Sequence, residues 1–250
     1  MTIHPHLAQS LTRKNALKVI SGLNNFDCER VAAVVKAADA GGATFVDIAA
    51  EPTLVASIRK LTSLPICVSA VQPELFVDAI NAGADMIEIG NFDSFYSQGI
   101  RFEAEEVLEL TVKTRSLLPN TTLSVTVPHI LALDEQVQLA EKLVEAGADI
   151  IQTEGGTSIN PLNPGVRGLI EKAAPTLAAA HSISHAVDIP VLCASGLSSV
   201  TVPMAIASGA SGVGVGSAIN QLNNEVAMVA VVRSLVEALN SYQKVPSNQP

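Results

Sequence analysis

The sequence predicts a single α/β domain of the (β/α)8 barrel type, with a phosphate site at one rim. Three observations predict it: the length, a phrase that recurs four times, and a glycine pattern late in the chain. The chain has 250 residues, about the length at which such barrels run as one domain. The phrase reads GATFVDI at Gly42–Ile48, GADMIEI at Gly83–Ile89, GADIIQT at Gly147–Thr153 and GASGVGV at Gly209–Val215. Each copy follows an Ala-rich amphipathic stretch and opens a β-branched run. That is the pattern of a helix ended by glycine, a tight turn, then a strand. The uneven spacing of the copies argues against a solenoid.

Taken in order, Met1–Asn15 reads as a short helix or arm covering the barrel bottom. Eight strands are expected near Leu17–Leu23, Phe45–Ala50, Ile66–Val71, Met86–Asn91, Leu123–Val127, Ile150–Gly155, Pro190–Gly196 and Gly212–Ser217. Pro65 and Pro190 stand at or beside strand starts, where proline is tolerated. Helical patterns fill the gaps, among them Asp27–Ala40, Glu74–Asn81, Asp134–Glu145 and Asn223–Leu239. Strict alternation of strand and helix gives a parallel sheet, and eight units favour a closed barrel over an open one. Long loops are expected at Asn91–Phe102 and Gly155–Ala174, both on the face that βα loops build. The barrel spans residues 1–240; Ser241–Pro250, polar and proline-bearing, reads as a frayed tail.

The composition narrows the function. A net charge of −9 lacks the basic footprint of a nucleic-acid binder. No stretch approaches the roughly 18 apolar residues of a membrane span, and the first residues have no signal-peptide core or transit character. A cytoplasmic protein is expected. Cys28, Cys67 and Cys193 form no CxxC pair, so neither a disulfide framework nor a zinc site is expected; they read as small buried hydrophobes. With aromatics at 3%, the core must rest on Ala, Val, Ile and Leu.

In a barrel strand alternate side chains point inward. Aliphatic neighbours in VDI, IEI and IQT set the phase, so Asp47, Glu88 and Gln152 point inward. With Gly214, from the fourth copy, they should share one layer, because alternate strands supply each layer. The odd strands LKVISGL, ICVSAVQ and VLCASGL align with Lys18, Cys67 and Leu192 equivalent, so Lys18 also points inward. A buried lysine needs a partner, and Asp47 lies on the neighbouring strand. Glu154 should point inward nearer the rim, with Glu51 and Ser69 as weaker mouth residues. Lys18, Asp47, Glu88 and Glu154 are therefore the candidate catalytic set. The bland alternative is a salt-bridge network that only fixes the barrel.

The segment IPVLCASGLSSVTVPMAIASGASGVGVGSAIN at Ile189–Asn220 carries the anion signature. It reads strand, Ser-Gly, helix, Gly-Ala turn, strand, Gly-Ser, short helix. Ser195 and Gly196 end strand seven; Gly216 and Ser217 end strand eight. Glycine there lets backbone N–H groups approach an anion, and these two strand ends are the recurring phosphate site of such barrels. The rival reading is plain tight turns. Softer signals are the loop NFDSFYSQGIRF with Phe92, Phe95, Tyr96 and Phe102, a ring-stacking lid or a packed loop. His129 is a candidate acid–base group. Arg167 reads as an anion clamp or, more simply, a solvated charge; His181 and His185 read as helix-surface residues.

IEIGNFDSFY at Ile87–Tyr96, KAAPTLAAAHSIS at Lys172–Ser184 and the Ile189–Asn220 segment resemble the hypothetical chloroplast reading frame twenty-three family of cyanobacteria and algal plastids. The resemblance covers nearly the whole chain except the tail. It implies a TIM barrel, and the plastid stroma for a plastid-encoded member; it implies no particular reaction. More distantly, strands seven and eight look like those of FMN- and phosphate-binding barrels such as nitronate monooxygenases and thiazole synthase. GADIIQTEGG is similar to the strand-six region of nitronate monooxygenases, but Thr157 and Ser158 stand where those enzymes continue to a catalytic histidine. Lys18 is not matched to the Schiff-base lysine of thiazole synthase by this resemblance.

The leading expectation is an enzyme on a phosphorylated small molecule, with lysine imine or carboxylate acid–base chemistry. The second is an FMN-dependent oxidoreductase holding FMN phosphate in the same place. The third is a non-catalytic metabolite sensor. A homo-oligomer is compatible with each.

Overall fold

The computed structural model describes residue 3 and residues 5–155 and 160–243. The elements in chain order are α1 (Pro5–Thr12), β1 (Ala16–Gly22), α2 (Cys28–Gly41), β2 (Phe45–Ala49), α3 (Pro52–Ile58), β3 (Ile66–Ala70), α4 (Pro73–Asn81), β4 (Met86–Ile89) and α5 (Asp93–Tyr96). There follow α6 (Ala104–Leu117), β5 (Thr122–Thr126), α7 (Leu133–Glu145), β6 (Ile150–Gln152), α8 (Gly165–Ala186), β7 (Val191–Ala194), α9 (Val202–Ala207), β8 (Gly212–Val215), α10 (Ser217–Asn220) and α11 (Glu225–Gln243). The strands form a closed parallel barrel in sequence order. It is a TIM barrel. At the seam β1 pairs with β8, Ala16 opposite Gly212 and Lys18 opposite Gly214. A Cβ at Gly212 would lie 2.6 Å from Ala16 O, so only glycine permits this close pairing.

The recurring phrase has a physical reason beyond its glycine. Gly42, Gly83, Gly147 and Gly209 all adopt left-handed φ, between 87° and 114°, and turn the chain from helix to strand. The third residue of three copies then fastens the preceding strand. Thr44 Oγ1 accepts from Leu17 N at 3.0 Å, Asp85 Oδ2 from Ile66 N at 2.8 Å, and Asp149 Oδ2 from Leu123 N at 2.9 Å. Arg59 and Arg115 pair with the two aspartates at 2.8 and 2.7 Å. Each repeat thus joins its own strand start to the one before it around the barrel bottom.

The main core lies between sheet and helices and is aliphatic, with Val19, Val46, Ile48, Val68, Ile87 and Val125 all buried. A second cluster closes the bottom: Leu7 and Leu11 of α1 pack with Phe45, Met86, Ile150 and Leu192. The arm expected before the first strand is this plug. Pro175 and Thr176 of α8 lie against the β6 end, where Thr176 Oγ1 meets Thr153 Oγ1 at 2.6 Å.

Several boundaries differ from expectation. β6 stops at Gln152; Thr153 N still donates to Leu192 O at 2.9 Å, and beyond it the side chains of Thr153 and Glu154 bond to Thr176, Tyr96 and His129. α8 begins at Gly165, well inside the segment expected as loop; Glu171 reaches back to accept from Leu162 N and Asn163 N at 2.9 and 3.1 Å. Residues 156–159 of that loop lie outside the described residues, and so do residues 244–250 of the expected tail. Ser241–Gln243 belong to α11. Cys67 and Cys193 are buried, but Cys28 is exposed, because it opens α2 beside its cap Asp27.

Removing the clamp aspartates should therefore weaken the barrel. Asp149→Ala and Asp85→Ala are each expected to cost about 1–3 kcal/mol, the range for leaving a buried donor unmet, read by denaturant melting. Asp188→Ala, outside the repeat, serves as control and should stay within about 0.5 kcal/mol.

Candidate functional site

Above the apolar plug the barrel interior turns polar. Lys18 of β1, Asp47 of β2, Glu88 of β4 and Gln152 of β6 all point inward and are buried to within 1%. Lys18 Nζ lies 2.7 Å from Glu88 Oε2, 3.9 Å from Asp47 Oδ1 and 3.1 Å from Gln152 Oε1. Gln152 Nε2 donates to Glu88 Oε1 at 2.8 Å and to Thr126 Oγ1 at 3.2 Å. Ser124 donates to Glu88 at 2.7 Å, and Ser69 to Asp47. A Cβ on Gly214 would stand 3.4 Å from Gln152 Oε1, so Asp47, Glu88, Gln152 and Gly214 form the layer that the repeat predicts.

The electrostatics of this layer are set by burial and close opposite charges. Burial works to lower the Lys18 pKa, but the Asp47 and Glu88 charges outweigh it and hold the ammonium above its ordinary value. Burial pushes Asp47 up to about 6, with Lys18 opposing and Glu88 adding to the rise. Lys18 is thus a sealed ammonium, kept charged. Imine chemistry requires a neutral, reachable amine, whereas Lys18 is buried and paired with Glu88 at 2.7 Å.

A cavity of about 170 Å³ opens one layer higher, at the C-terminal ends of β1, β7 and β8. Ser195, Gly196, Gly216 and Ser217 line it, with Gln152 as floor and Glu154 as wall. It lies here because β8 presents only Gly214 and Gly216 inward above Gly212, and β7 presents Ala194. Two of its lining residues carry left-handed backbone without being glycine: Asn91 at φ 63° and Ser195 at φ 74°. Such conformations cost about 1–3 kcal/mol and concentrate at working sites. Asn220 Nδ2 ties the rim by donating to Ile20 O at 2.7 Å and Gly216 O at 3.1 Å.

The opposite wall joins three loops. Asp93 follows β4, His129 follows β5 and Glu154 follows β6. His129 Nδ1 is 3.3 Å from Asp93 Oδ1 and 3.3 Å from Glu154 Oε1. Tyr96 Oη donates to Glu154 Oε1 at 2.5 Å, and Ser195 Oγ donates to Asp93 Oδ2 at 3.3 Å. Burial and the Asp93 charge raise the Glu154 pKa, against the hydrogen bonds from His129 and Tyr96. Burial alone would lower His129, but its bond to Glu154 and the charge of Asp93 leave it raised. Burial and Glu154 also raise Tyr96.

Of the expected catalytic set, only Glu154 lines the cavity; Lys18 and Glu88 hold its floor residue Gln152 from below, and Asp47 and Glu88 accept from the lining residue Asn91, each at 3.4 Å. Glu51 does not face the mouth. It caps α3, accepting from Thr53 N at 3.1 Å and Leu54 N at 2.6 Å. The aromatic loop packs on itself, Phe102 standing 4.6 Å from Phe92 and 5.5 Å from Phe95 between ring centres, and only Tyr96 turns toward the site. Arg167 is a solvated partner of Glu171, and His181 and His185 are exposed on α8. Asp93, Asn91 and Asn220 escaped sequence reasoning. The first two sit just past the end of β4 in IGNFD, the position at which a barrel places rim residues.

Residues 3–245 match the family described as "Protein of unknown function (DUF561)". An "Uncharacterized protein ycf23" of Cyanophora paradoxa is 46% identical over 232 residues, 92% of this chain and 95% of that one. One of Pyropia yezoensis is 41% identical over 96% and 88%. Among solved structures, thiamine phosphate pyrophosphorylase from Pyrococcus furiosus superposes with TM-score 0.61 at 19% identity, covering 93% of this chain and 98% of that one. (S)-3-O-geranylgeranylglyceryl phosphate synthase from Thermoplasma acidophilum, in complex with sn-glycerol-1-phosphate, gives 0.63 at 14%, covering 96% and 100%. At such identities these likenesses show the fold. No helix among the described residues is long and apolar enough to cross a membrane.

Two outcomes follow from the polar layer. Asp47 has a higher pKa folded than unfolded, so its contribution is greatest below about pH 4 and is lost as pH rises through about 6. Asp47→Asn should therefore gain stability over the wild type at pH 7, by on the order of 1–3 kcal/mol, and the gain should shrink on acidification to pH 4 in melting curves. Lys18→Met alone strands two carboxylates and should cost about 3–5 kcal/mol, whereas Lys18→Met with Glu88→Leu should recover most of it. A double variant as unstable as the single would contradict this account.

Proposed function

The chain belongs to the DUF561 family, and from the geometry of its rim we propose that it is an enzyme acting on a small phosphorylated metabolite. The observation that carries the proposal is the coincidence of cavity and signature. Ser195, Gly196, Gly216 and Ser217, the residues singled out by the glycine pattern, line one cavity beside a buried acidic wall. The phosphate is held by the backbone N–H groups of Gly196 and Ser217, and the rest of the molecule extends over Gln152 toward Glu154, His129 and Asp93. Lys18 and Glu88 act through Gln152, whose amide they hold in one orientation, and Asp47 acts through Lys18 and Asn91.

Two further facts support this reading. Enzymes of phosphorylated compounds stand among the proteins that share the fold, one of them in complex with sn-glycerol-1-phosphate. The cavity, at about 170 Å³, falls below the roughly 300–1,000 Å³ of pockets for larger ligands, and no aromatic ring lines it among the described residues. A small metabolite therefore fits better than FMN. The stroma, or the cytoplasm, is the proposed compartment, with a phosphorylated small molecule as partner.

The test is calorimetric titration with inorganic phosphate and with glycerol phosphate. Ser217→Ala keeps the backbone donor and should weaken binding less than about tenfold, the cost of one hydrogen bond at most. Ser217→Asp suits a helix start yet puts a carboxylate where the phosphate sits, and should weaken binding by more than about tenfold. Gly216→Val is a poorer probe than the sequence suggests, because its Cβ would press on Ile20 O at 3.2 Å and disturb the seam. Equal binding by the wild type and Ser217→Asp would place the anion elsewhere.

A further inference from the structure

The acidic wall poses a problem for an anionic ligand. Asp93 and Glu154 both line the cavity, and no Lys or Arg side chain does so among the described residues. Asp93 stands beside the anion side, since Ser195 Oγ donates to its Oδ2. A phosphate held by backbone amides there would face two carboxylates with only His129 between them.

The spacing of the wall suggests the answer. Asp93, His129 and Glu154 each offer one donor atom, and the three atoms lie within 4.8 Å of one another. His129 Nδ1 stands 3.3 Å from an oxygen of each carboxylate, longer than the roughly 2.7–2.9 Å of a charge-assisted hydrogen bond. An ion with bonds of about 2.1 Å spaces neighbouring donors by about 3.0 Å in an octahedron and 3.4 Å in a tetrahedron. Asp93 Oδ1 is, moreover, buried from solvent, with the His129 ring nitrogen at 3.3 Å as its close polar partner. The donors come from the ends of three successive strands, β4, β5 and β6, so their separation is fixed by the barrel. Tyr96 Oη and the backbone N–H of His129 hold Glu154 Oε1 from outside, at 2.5 and 3.3 Å.

We propose that Asp93, His129 and Glu154 bind one divalent first-row transition-metal ion, whose remaining positions face the cavity and take an oxygen of the phosphorylated ligand. Two carboxylates with one imidazole suit such an ion, of which Mn²⁺ is representative. The ion neutralises the wall and gives the phosphate a positive partner in place of the absent basic side chains. Glu154 is then a ligand to the ion, and Tyr96 a positioning residue that fixes its orientation. The proposal rests on the reading of the cavity as an anion site, but the two fail separately.

Metal-free full-length protein is titrated with Mn²⁺ and the free ion followed by electron paramagnetic resonance. One Mn²⁺ per chain is expected. Asp93→Asn and His129→Gln, close in size to the native residues and checked for folding by circular dichroism, should each bind at least about tenfold more weakly; Tyr96→Phe, which keeps all three donors, should stay within about tenfold. No uptake by the wild type, or uptake by folded Asp93→Asn and His129→Gln equal to it, overturns the metal site. In a second arm inorganic phosphate is titrated with and without Mn²⁺, and about tenfold tighter binding is expected with the ion. Mn²⁺ uptake without phosphate binding in either condition keeps the metal and overturns the anion reading. Phosphate binding without Mn²⁺ uptake does the reverse, and phosphate binding unchanged by a bound ion overturns the bridging role.

Discussion

The ammonium of Lys18, enclosed at the middle of the barrel, is the constraint on which the rest depends. A positive charge without solvent must find its counter-charges and acceptors within the protein. It finds them on β2, β4 and β6, in Asp47, Glu88 and Gln152. Those three residues leave apolar packing below and an open mouth above. Because Glu88 and Lys18 occupy the Nε2 and Oε1 sides of the Gln152 amide, the floor of the cavity has a fixed chemical face.

Around that floor the two walls differ in how they are built. The β7–β8 wall is backbone: small or absent side chains, one strained serine, and amides exposed by glycine. The β4–β6 wall is side chain: two carboxylates, an imidazole and a phenol, each bonded to another. The first wall needs little sequence to specify it beyond glycine and serine at strand ends. The second needs three loops to arrive together, and the Phe92–Phe102–Phe95 cluster accounts for one of them by packing the β4 loop against the core.

The fold was legible because its signals are local. Left-handed glycines at Gly42, Gly83, Gly147 and Gly209 mark four helix ends, and strict inward–outward alternation placed Lys18, Asp47, Glu88 and Gln152 without coordinates. The cavity-lining serines and glycines were legible for the same reason, since each lies at a strand end. What could not be read was depth and convergence. Alternation tells which way Lys18 points but not that Gln152 and Glu88 seal it from the mouth. Asp93 and His129 lie 36 positions apart in number, one opening the short α5 and the other in a turn after β5, so no period relates them. Glu51, an inward candidate by position, was claimed by the N-terminus of α3 because two backbone donors there had no other acceptor.

The cavity takes Ile20 and Ser21 from the first strand and Val215 and Gly216 from the last. It therefore comes into being only when the two ends of the barrel meet. A nascent chain emerging from the ribosome can fold its early βα units, but it has no binding site until the final strand is released and zipped against Ala16–Val19. Occupancy of the cavity then reports a finished molecule, and whatever fills it stabilises the closure itself by mass action. The pairing of Ala16–Val19 with the last strand thus does two things at once: it closes the sheet, and it brings the two halves of the cavity wall together.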